Sequence, residues 1–352
     1  MTEQTSIAAT WIRNAWYVAA QSAELKGDPL GRRICGHDVV FFRDHSGGVA
    51  ALDDFCPHRG ARLSLGRCRD GRVICGYHGL EVASDGAAAA MAGQDVSRFP
   101  ATKTFPVIEK SGFIWLWPGD PMAADESLVP DLPWADNPQW AYGGGVYRIA
   151  CDYRLMVDNL MDLTHETHVH SNSIGQKEID EAPVETVLEN GEVITRRFME
   201  GVTAPPFWQA ALAGVGLPTD ASVDRWQICH FSTPSHVMIE VGVALAGEGG
   251  RKAPEDRKAS AIVVDFITPE TETSHWYFWG MARQFAPNDA GLTETIRSGQ
   301  ARIFAEDLSV LEAQQVNLTR HPERRLLTLN IDAGGANARA MIARAIRDEA
   351  AP

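Results

Sequence analysis

Asp158-Asn159-Leu160-Met161-Asp162-Leu163-Thr164-His165-Glu166-Thr167-His168-Val169-His170 packs three acids and three histidines into thirteen residues. Placed on a helix, Asp158, Asp162 and His165 fall at i, i+4 and i+7 and share one face. Leu155, Leu160 and Leu163 supply apolar surface around the same turns. Two carboxylates and an imidazole beside apolar side chains are costly to bury unless something satisfies them, and a metal ion would do so. His170, five residues after His165, lies roughly 140° farther round an ideal helix. Both imidazoles can reach one ion only if the helix ends or distorts near Thr164 to His168. The alternative is a polar helix end with a histidine cluster on the surface.

The surrounding chain has an ordinary globular balance. Its 352 residues suffice for two domains with cores of their own, and 45% are hydrophobic against 22% charged. The formal net charge of −14 argues against a nucleic-acid binder and against an anionic membrane surface, since both need basic residues. The N-terminal residues carry no basic region followed by an apolar run, and no stretch approaches the ~20 apolar residues of a membrane span. A cytoplasmic protein is expected. Its six cysteines should then be reduced unless they bind metal.

Only two of those cysteines stand in a ligand-like setting. Cys56-Pro57-His58-Arg59-Gly60 and Cys75-Gly76-Tyr77-His78-Gly79 are matching arms, with sixteen residues between His58 and Cys75. A structural zinc site more often groups cysteines in one arm and histidines in the other. One of each per arm suits a [2Fe-2S] cluster in which one iron takes both sulfurs and the other both imidazoles, the Rieske ligation. Neutral imidazoles in place of two thiolates raise the potential. Short runs at Val39-Val40-Phe41-Phe42, 49–52 and 72–75 predict a small all-β domain around these arms.

On these residues the chain resembles the Rieske non-haem iron oxygenases: Cys-x-His, sixteen residues, Cys-x-x-His matches in full. Respiratory Rieske proteins are similar but add a disulfide-forming cysteine to each loop, which neither loop here has. The family's mononuclear iron motif, acid-x3-Asp-x2-His-x4-His, corresponds to Asp158, Asp162, His165 and His170 with every spacing intact. The resemblance covers nearly the whole chain, and the Trp11 lead-in and the Asn-Leu-Met-Asp-Leu run at 159–163 look like the vanillate and dicamba O-demethylase group.

Two histidines need a carboxylate to complete a facial triad for Fe(II). The helix expected over 293–317 has Phe304, Leu308, Leu311 and Gln315 in one stripe, with Asp307 about 60° from its centre. Glu306 falls on the opposite side and should be solvated. Periodicity alone leaves Asp307 open between a ligand and an ordinary hydrogen-bonded acid. The resemblance, with its late-helix Glu-Asp pair, favours Asp307. His168 is off the motif spacing and is read as non-ligating.

The fold expected is α+β. An N-terminal all-β Rieske domain (1–120, with the lead-in) precedes an antiparallel-sheet catalytic domain with packed helices, helix-grip-like (121–352). Prolines at 118, 121, 130, 133 and 138 mark the linker. Strands are expected at 105–118 (two, around Glu109-Lys110-Ser111-Gly112), 146–154, 184–189, 192–198, 223–231, 236–243, 261–268 and 274–283, with a hairpin at Asn190-Gly191. A last helix is expected over 336–348.

The resemblance implies the following chemistry. A separate reductase, with or without a ferredoxin, passes electrons from NAD(P)H to the cluster at Cys56, His58, Cys75 and His78. The cluster reduces an Fe(II) held by His165, His170 and Asp307, where O2 is activated. Asp162 bridges the two metal centres, between His165 and a cluster histidine such as His78, across a subunit boundary of a homotrimer. Asn159 lies near the iron without ligating it. Hydroxylation of an O-methyl carbon gives a hemiacetal that collapses to a phenol and formaldehyde. The expected function is O-demethylation of a methoxylated aromatic acid. The competing readings are a ring-hydroxylating dioxygenase making cis-diols and a non-catalytic Rieske electron carrier. Trp226, Phe231, Trp276 and Phe278 are expected aromatic surface for the ring, and His236, Arg225 and Arg283 are candidates for a substrate carboxylate.

Overall fold

The computed structural model describes residues 10–170, 174 and 177–350. They form two units. The first comprises residues 10–131 with two later segments, 268–272 and 345–350. Its ten short strands are β1 (Tyr17–Gln21), β2 (Leu30–Ile34), β3 (His37–Arg43), β4 (Val49–Asp53), β5 (Arg67–Arg69), β6 (Arg72–Ile74), β7 (Glu81–Val82), β8 (Ala88–Ala90), β9 (Val107–Lys110) and β10 (Phe113–Leu116). They build three antiparallel sheets, β1-β10-β9, β2-β3-β4 and β5-β6-β7-β8. Three of the hairpins turn on two residues with positive φ, Cys35-Gly36, Asp70-Gly71 and Ser111-Gly112. That twist matches the strands it joins. One core is built on Val40, Phe42, Leu52, Leu63, Val73 and Val82, and both Cys56 and Cys75 belong to it.

The later segments are hydrogen-bonded into this unit. Cys35 N–H donates to Pro269 O at 2.7 Å and Gly36 N–H to Glu270 O at 3.1 Å. Thr268 Oγ1 donates to Val18 O at 2.7 Å. Arg13 and Asn14 N–H donate to the Glu349 carboxylate at 2.9 and 2.6 Å.

The second unit covers residues 132–267 and 273–344. It is built on a seven-stranded sheet of β11 (Ala141–Ile149), β12 (Val184–Glu189), β13 (Glu192–Thr203), β14 (Ser222–Ser232), β15 (His236–Leu245), β16 (Lys258–Thr271) and β17 (Ser274–Arg283). The order is β11-β17-β16-β15-β14-β13-β12, a meander closed at one edge by the first strand. The Asn190-Gly191 hairpin forms as the sequence indicates, with φ of 52° and 82°. Strand β11 starts five residues before the expected 146. Its Gly143-Gly144-Gly145 run hid it, because glycine disfavours strands. The run is needed: a Cβ on Gly145 would stand 2.6 Å from the Trp279 ring.

The helices are α1 (Tyr153–Leu160), α2 (Glu166–Val169), α3 (Lys177–Glu181), α4 (Pro206–Gly214), α5 (Ala290–Arg320) and α6 (Ala333–Ala350). On α5, Ile296, Gln300, Phe304, Asp307 and Leu311 form the buried stripe. Phe304 meets Tyr277 and Trp279 at ring-centroid distances of 5.4 and 5.5 Å. Alternation then defines the inner face of the sheet. Residues paired across antiparallel strands share a face, so Tyr277 and Trp279 identify β17's inner residues. The run Arg197–Gln227–Val241–Ala261, with Phe231 and Val237 paired four residues farther along, is inner as well.

Candidate metal centres and active site

The two cluster arms are folded alike. Cys56 N–H donates to Ala61 O at 2.8 Å and Gly60 N–H to Cys56 O at 2.8 Å. The second arm repeats this, with Cys75 N–H to Leu80 O at 2.8 Å and Gly79 N–H to Cys75 O at 3.0 Å. Gly60 and Gly79 close the loops with φ of 70° and 73°, a conformation that costs glycine little. Both cysteines are 2% exposed, while both histidines stand at the surface, their rings 4.6 Å apart. Burial raises the Cys56 thiol pKa, opposed by the His58 and Arg59 backbone N–H groups that point at its sulfur. Two adjacent buried sulfurs and two adjacent imidazoles, each from matching loops, fit a [2Fe-2S] group ligated two and two.

In the second unit the long helix expected through His165 does not form. Helix α1 stops at Leu160, so Asp158, Asp162 and His165 do not share a helical face. The cause is local. Asp162 Oδ1 accepts from Thr164 N–H at 2.6 Å and from its hydroxyl at 2.7 Å, and a side chain that captures nearby backbone competes with helix. Asp158 instead pairs with Arg339 of α6 at 2.7 Å. The chain resumes as the short helix α2, which lets both histidines turn inward. Glu166 anchors it: its carboxylate accepts from Arg197 at 2.9 Å and Gln227 at 2.8 Å. Arg197 also donates to Leu163 O at 2.7 Å. An inward Arg on an otherwise alternating strand was the available signal for this clamp.

His165, His170 and Asp307 converge, with one donor atom from each lying within 4.8 Å of the others. His170 Nε2 is 3.3 Å from Asp307 Oδ2, and His165 Nε2 is 3.6 Å from Asp307 Oδ1. His170 and Asp307 are buried, 3% and 4% exposed. Asn159 Nδ2 donates to Asp307 Oδ1 at 3.0 Å. His168 is exposed and outside the group. Glu306, expected in solvent, lies 2.7 Å from His170 Nδ1. Burial alone would lower the His170 pKa, and Asp307 and Glu306 more than offset it. A buried and a half-buried imidazole with a buried carboxylate, the far nitrogen of one ring held by an acid, fit a divalent ion such as Fe(II).

Asp162 Oδ2 faces His165 Nδ1 at 3.7 Å, beyond hydrogen-bond reach. Burial raises its carboxyl pKa, but His165 and the Thr164 donors bring it net below the usual range. Asp162, Thr164, His165, His168, Arg197 and Ile331 line a cavity of about 470 Å³.

The expected ring-binding aromatics divide. Phe231 is inner, paired with Val237. Trp226 is outer and packs with Ile194, Ile228 and Ala253. Trp276 and Phe278 are also outer, opposite Tyr277 and Trp279. Of the carboxylate candidates, Arg283 serves the loop before α5, donating to Asp289 O at 3.0 Å and Thr293 Oγ1 at 2.7 Å. His236 packs on outer Phe266 at 5.0 Å, and Arg225 is buried on the inner face. One further acid, Asp265, stands on the inner face, paired with Val237. It is fully buried on β16, accepts from the Tyr277 hydroxyl at 2.6 Å, and is pushed up to about 8 by burial, with Asp307 adding to the effect.

Residues 149–348 match the vanillate O-demethylase oxygenase C-terminal domain, and residues 15–106 match the Rieske [2Fe-2S] domain. The chain belongs to the vanillate O-demethylase oxygenase family. It is 63% identical to the vanillate O-demethylase oxygenase subunit of Pseudomonas sp. (strain HR199 / DSM 7063), over 96% of this chain and 95% of that one. Identity to the dicamba O-demethylase oxygenase component of Stenotrophomonas maltophilia is 36%, over 86% and 88% of the two chains. The crystal structure of dicamba monooxygenase bound to 3,6-dichlorosalicylic acid superposes with a TM-score of 0.89 at 33% identity, covering 98% of this chain and all of that one. This oxygenase is thus a Rieske monooxygenase of the O-demethylating kind. No described helix is long and apolar enough to cross a membrane.

Proposed function

We propose that this oxygenase O-demethylates a methoxylated aromatic acid, with vanillate the best candidate, as the terminal component of a system whose separate reductase draws on NAD(P)H. The convergence of His165, His170 and Asp307 on one point, in a chain that also carries the paired Cys-His loops, is the observation that carries the reading.

Cys56, Cys75, His58 and His78 would hold the [2Fe-2S] cluster, and His165, His170 and Asp307 the Fe(II). When bound, these groups supply stepwise electron transfer and activation of O2 at an open metal face. The chain's own residues prepare that face. Glu306 accepts from His170 Nδ1–H, fixing the tautomer that leaves Nε2 free for metal. Asn159 orients the Asp307 carboxylate. The Glu166–Arg197–Gln227 clamp fixes the backbone between the two histidines. Asp162, on the wall of its cavity, is the entry point for electrons from the cluster of a neighbouring copy in a homotrimer. Residues 1–120 and 121–352 are the corresponding functional domains, and the reading is of a cytoplasmic enzyme.

The test uses holoenzyme reduced with dithionite, mixed with oxygenated buffer and vanillate. Formaldehyde should appear in step with the demethylated phenol. His165→Ala, His170→Ala and Asp307→Ala should each keep the visible absorbance of the cluster and lose both mononuclear iron and formaldehyde release. A cis-dihydrodiol carrying both oxygen atoms would instead make the protein a dioxygenase.

A further inference from the structure

Asp265 presents a buried carboxyl oxygen that no described residue uses. Its Oδ1 accepts from Tyr277, but Oδ2 is buried and has no partner among the described residues. Register places it on the inner face, paired with Val237. Its partner Tyr277 packs on Phe304, one turn before Asp307 on α5. Two more buried polar atoms have no partner among the described residues, Trp279 Nε1 and Gln300 Oε1. Trp279 stands 5.5 Å from Phe304, and Gln300 is one turn before it in the buried stripe. A half-satisfied carboxyl on an apolar surface of Phe231, Val237 and Val263 is costly. The metal group does not account for it, since Asp265 is not one of its three members.

The chemistry of the missing partner follows from charge. Two carboxyl groups sharing one buried, apolar spot cannot both ionise, so the carboxylate of an aromatic acid, ionised at neutral pH, lies elsewhere. A neutral O–H donor is welcome. The methoxy carbon has to reach the metal beside Asp307, so the hydroxyl within reach is the one adjacent to it on the ring.

Resting on the O-demethylase reading above, we propose that Asp265 Oδ2 hydrogen-bonds a ring hydroxyl ortho to the methoxy group, a partner that can donate to the carboxylate or accept from the carboxylic acid. Asp265 thereby selects hydroxylated over unhydroxylated methoxybenzoates. Tyr277 is a positioning residue that fixes the rotamer of the carboxyl.

Calorimetric titration of the anaerobic holoenzyme with vanillate and with 3-methoxybenzoate, which differ only by that hydroxyl, tests this. Sites built to bond a substrate hydroxyl reject the analogue lacking it by factors that reach about 10⁴–10⁵. The wild type should favour vanillate by at least about 100-fold. Asp265→Leu should narrow the ratio to within about tenfold, by weakening vanillate while 3-methoxybenzoate binds as well as before or better. Asp265→Asn, which still accepts from Tyr277, should fall between. A structural role alone would weaken both ligands together, and that outcome overturns the proposal. So does equal affinity of the wild type for the two acids, a comparison that needs no variant. The expected preference without formaldehyde release would sink the demethylase reading and leave Asp265 standing. Formaldehyde release with equal affinities would sink Asp265 alone.

Discussion

Glu306 shows what a helical wheel sees and what it does not. The wheel of α5 correctly puts Asp307 beside the buried stripe and Glu306 away from it. But a wheel describes one helix, and Glu306 is claimed by His170, just past the end of α2 and 2.7 Å away. The contact exists because α1 ends early, through the Asp162–Thr164 bonds, which no periodicity signals. The residues that converge, His165, His170 and Asp307, stand out in the sequence because metal chemistry restricts both residue type and spacing. Their positioning partners were not, since any carboxylate or amide can serve. Glu306→Ala should weaken Fe(II) binding to the apoprotein by about 10–100-fold, measured by titration against a competing chelator. Glu306→Gln, whose amide oxygen can still accept from Nδ1–H, should restore most of the affinity. Equal loss in both variants would mean that the charge matters and not the hydrogen bond.

At the scale of elements, strand positions were readable from alternation, but alternation gives two faces without saying which is inner. In β14 and β17 both faces carry buried aromatics, so Trp226, Trp276 and Phe278 were assigned to the ring-binding side when the packing of Phe304 on Tyr277 and Trp279 shows the reverse. Helix packing has its own signature in glycine. Gly334 opens α6, and a Cβ there would lie 2.4 Å from Met161 O, at the end of α1. Gly299 on α5 would meet nothing within 4 Å. The same substitution should therefore act with opposite sign at the two positions. Gly334→Ala should cost about 1–3 kcal/mol through overpacking against backbone. Gly299→Ala should stabilise by about 0.5–1 kcal/mol, because alanine has less conformational freedom to lose. Chemical denaturation of the two variants checks both signs.

At the scale of the whole molecule, function requires two metal centres that communicate, and Asp162 is the residue through which they are proposed to do so. Asp162→Asn keeps the size and the ability to accept from Thr164 but removes the charge facing His165. Iron and sulfide content should stay at wild-type levels while reduction of the mononuclear iron by the cluster slows by at least about tenfold, followed by stopped-flow bleaching of the cluster. Unchanged electron transfer would remove Asp162 from the route. The expected boundary at 120 falls in the proline-rich stretch, while the two units divide after 131 and the return of 268–272 and 345–350 to the first unit has no signal in the sequence, because such bonds are made by backbone and side chains without a motif. That return orders events during synthesis. As the ribosome extends the chain, the cysteine arms emerge early, yet Cys35 and Gly36 wait for Pro269 and Glu270, and Arg13 and Asn14 wait for Glu349. The iron-sulfur unit is therefore translated ahead of the two segments that complete its own bonding, and it closes only after the sheet of the second unit has been made.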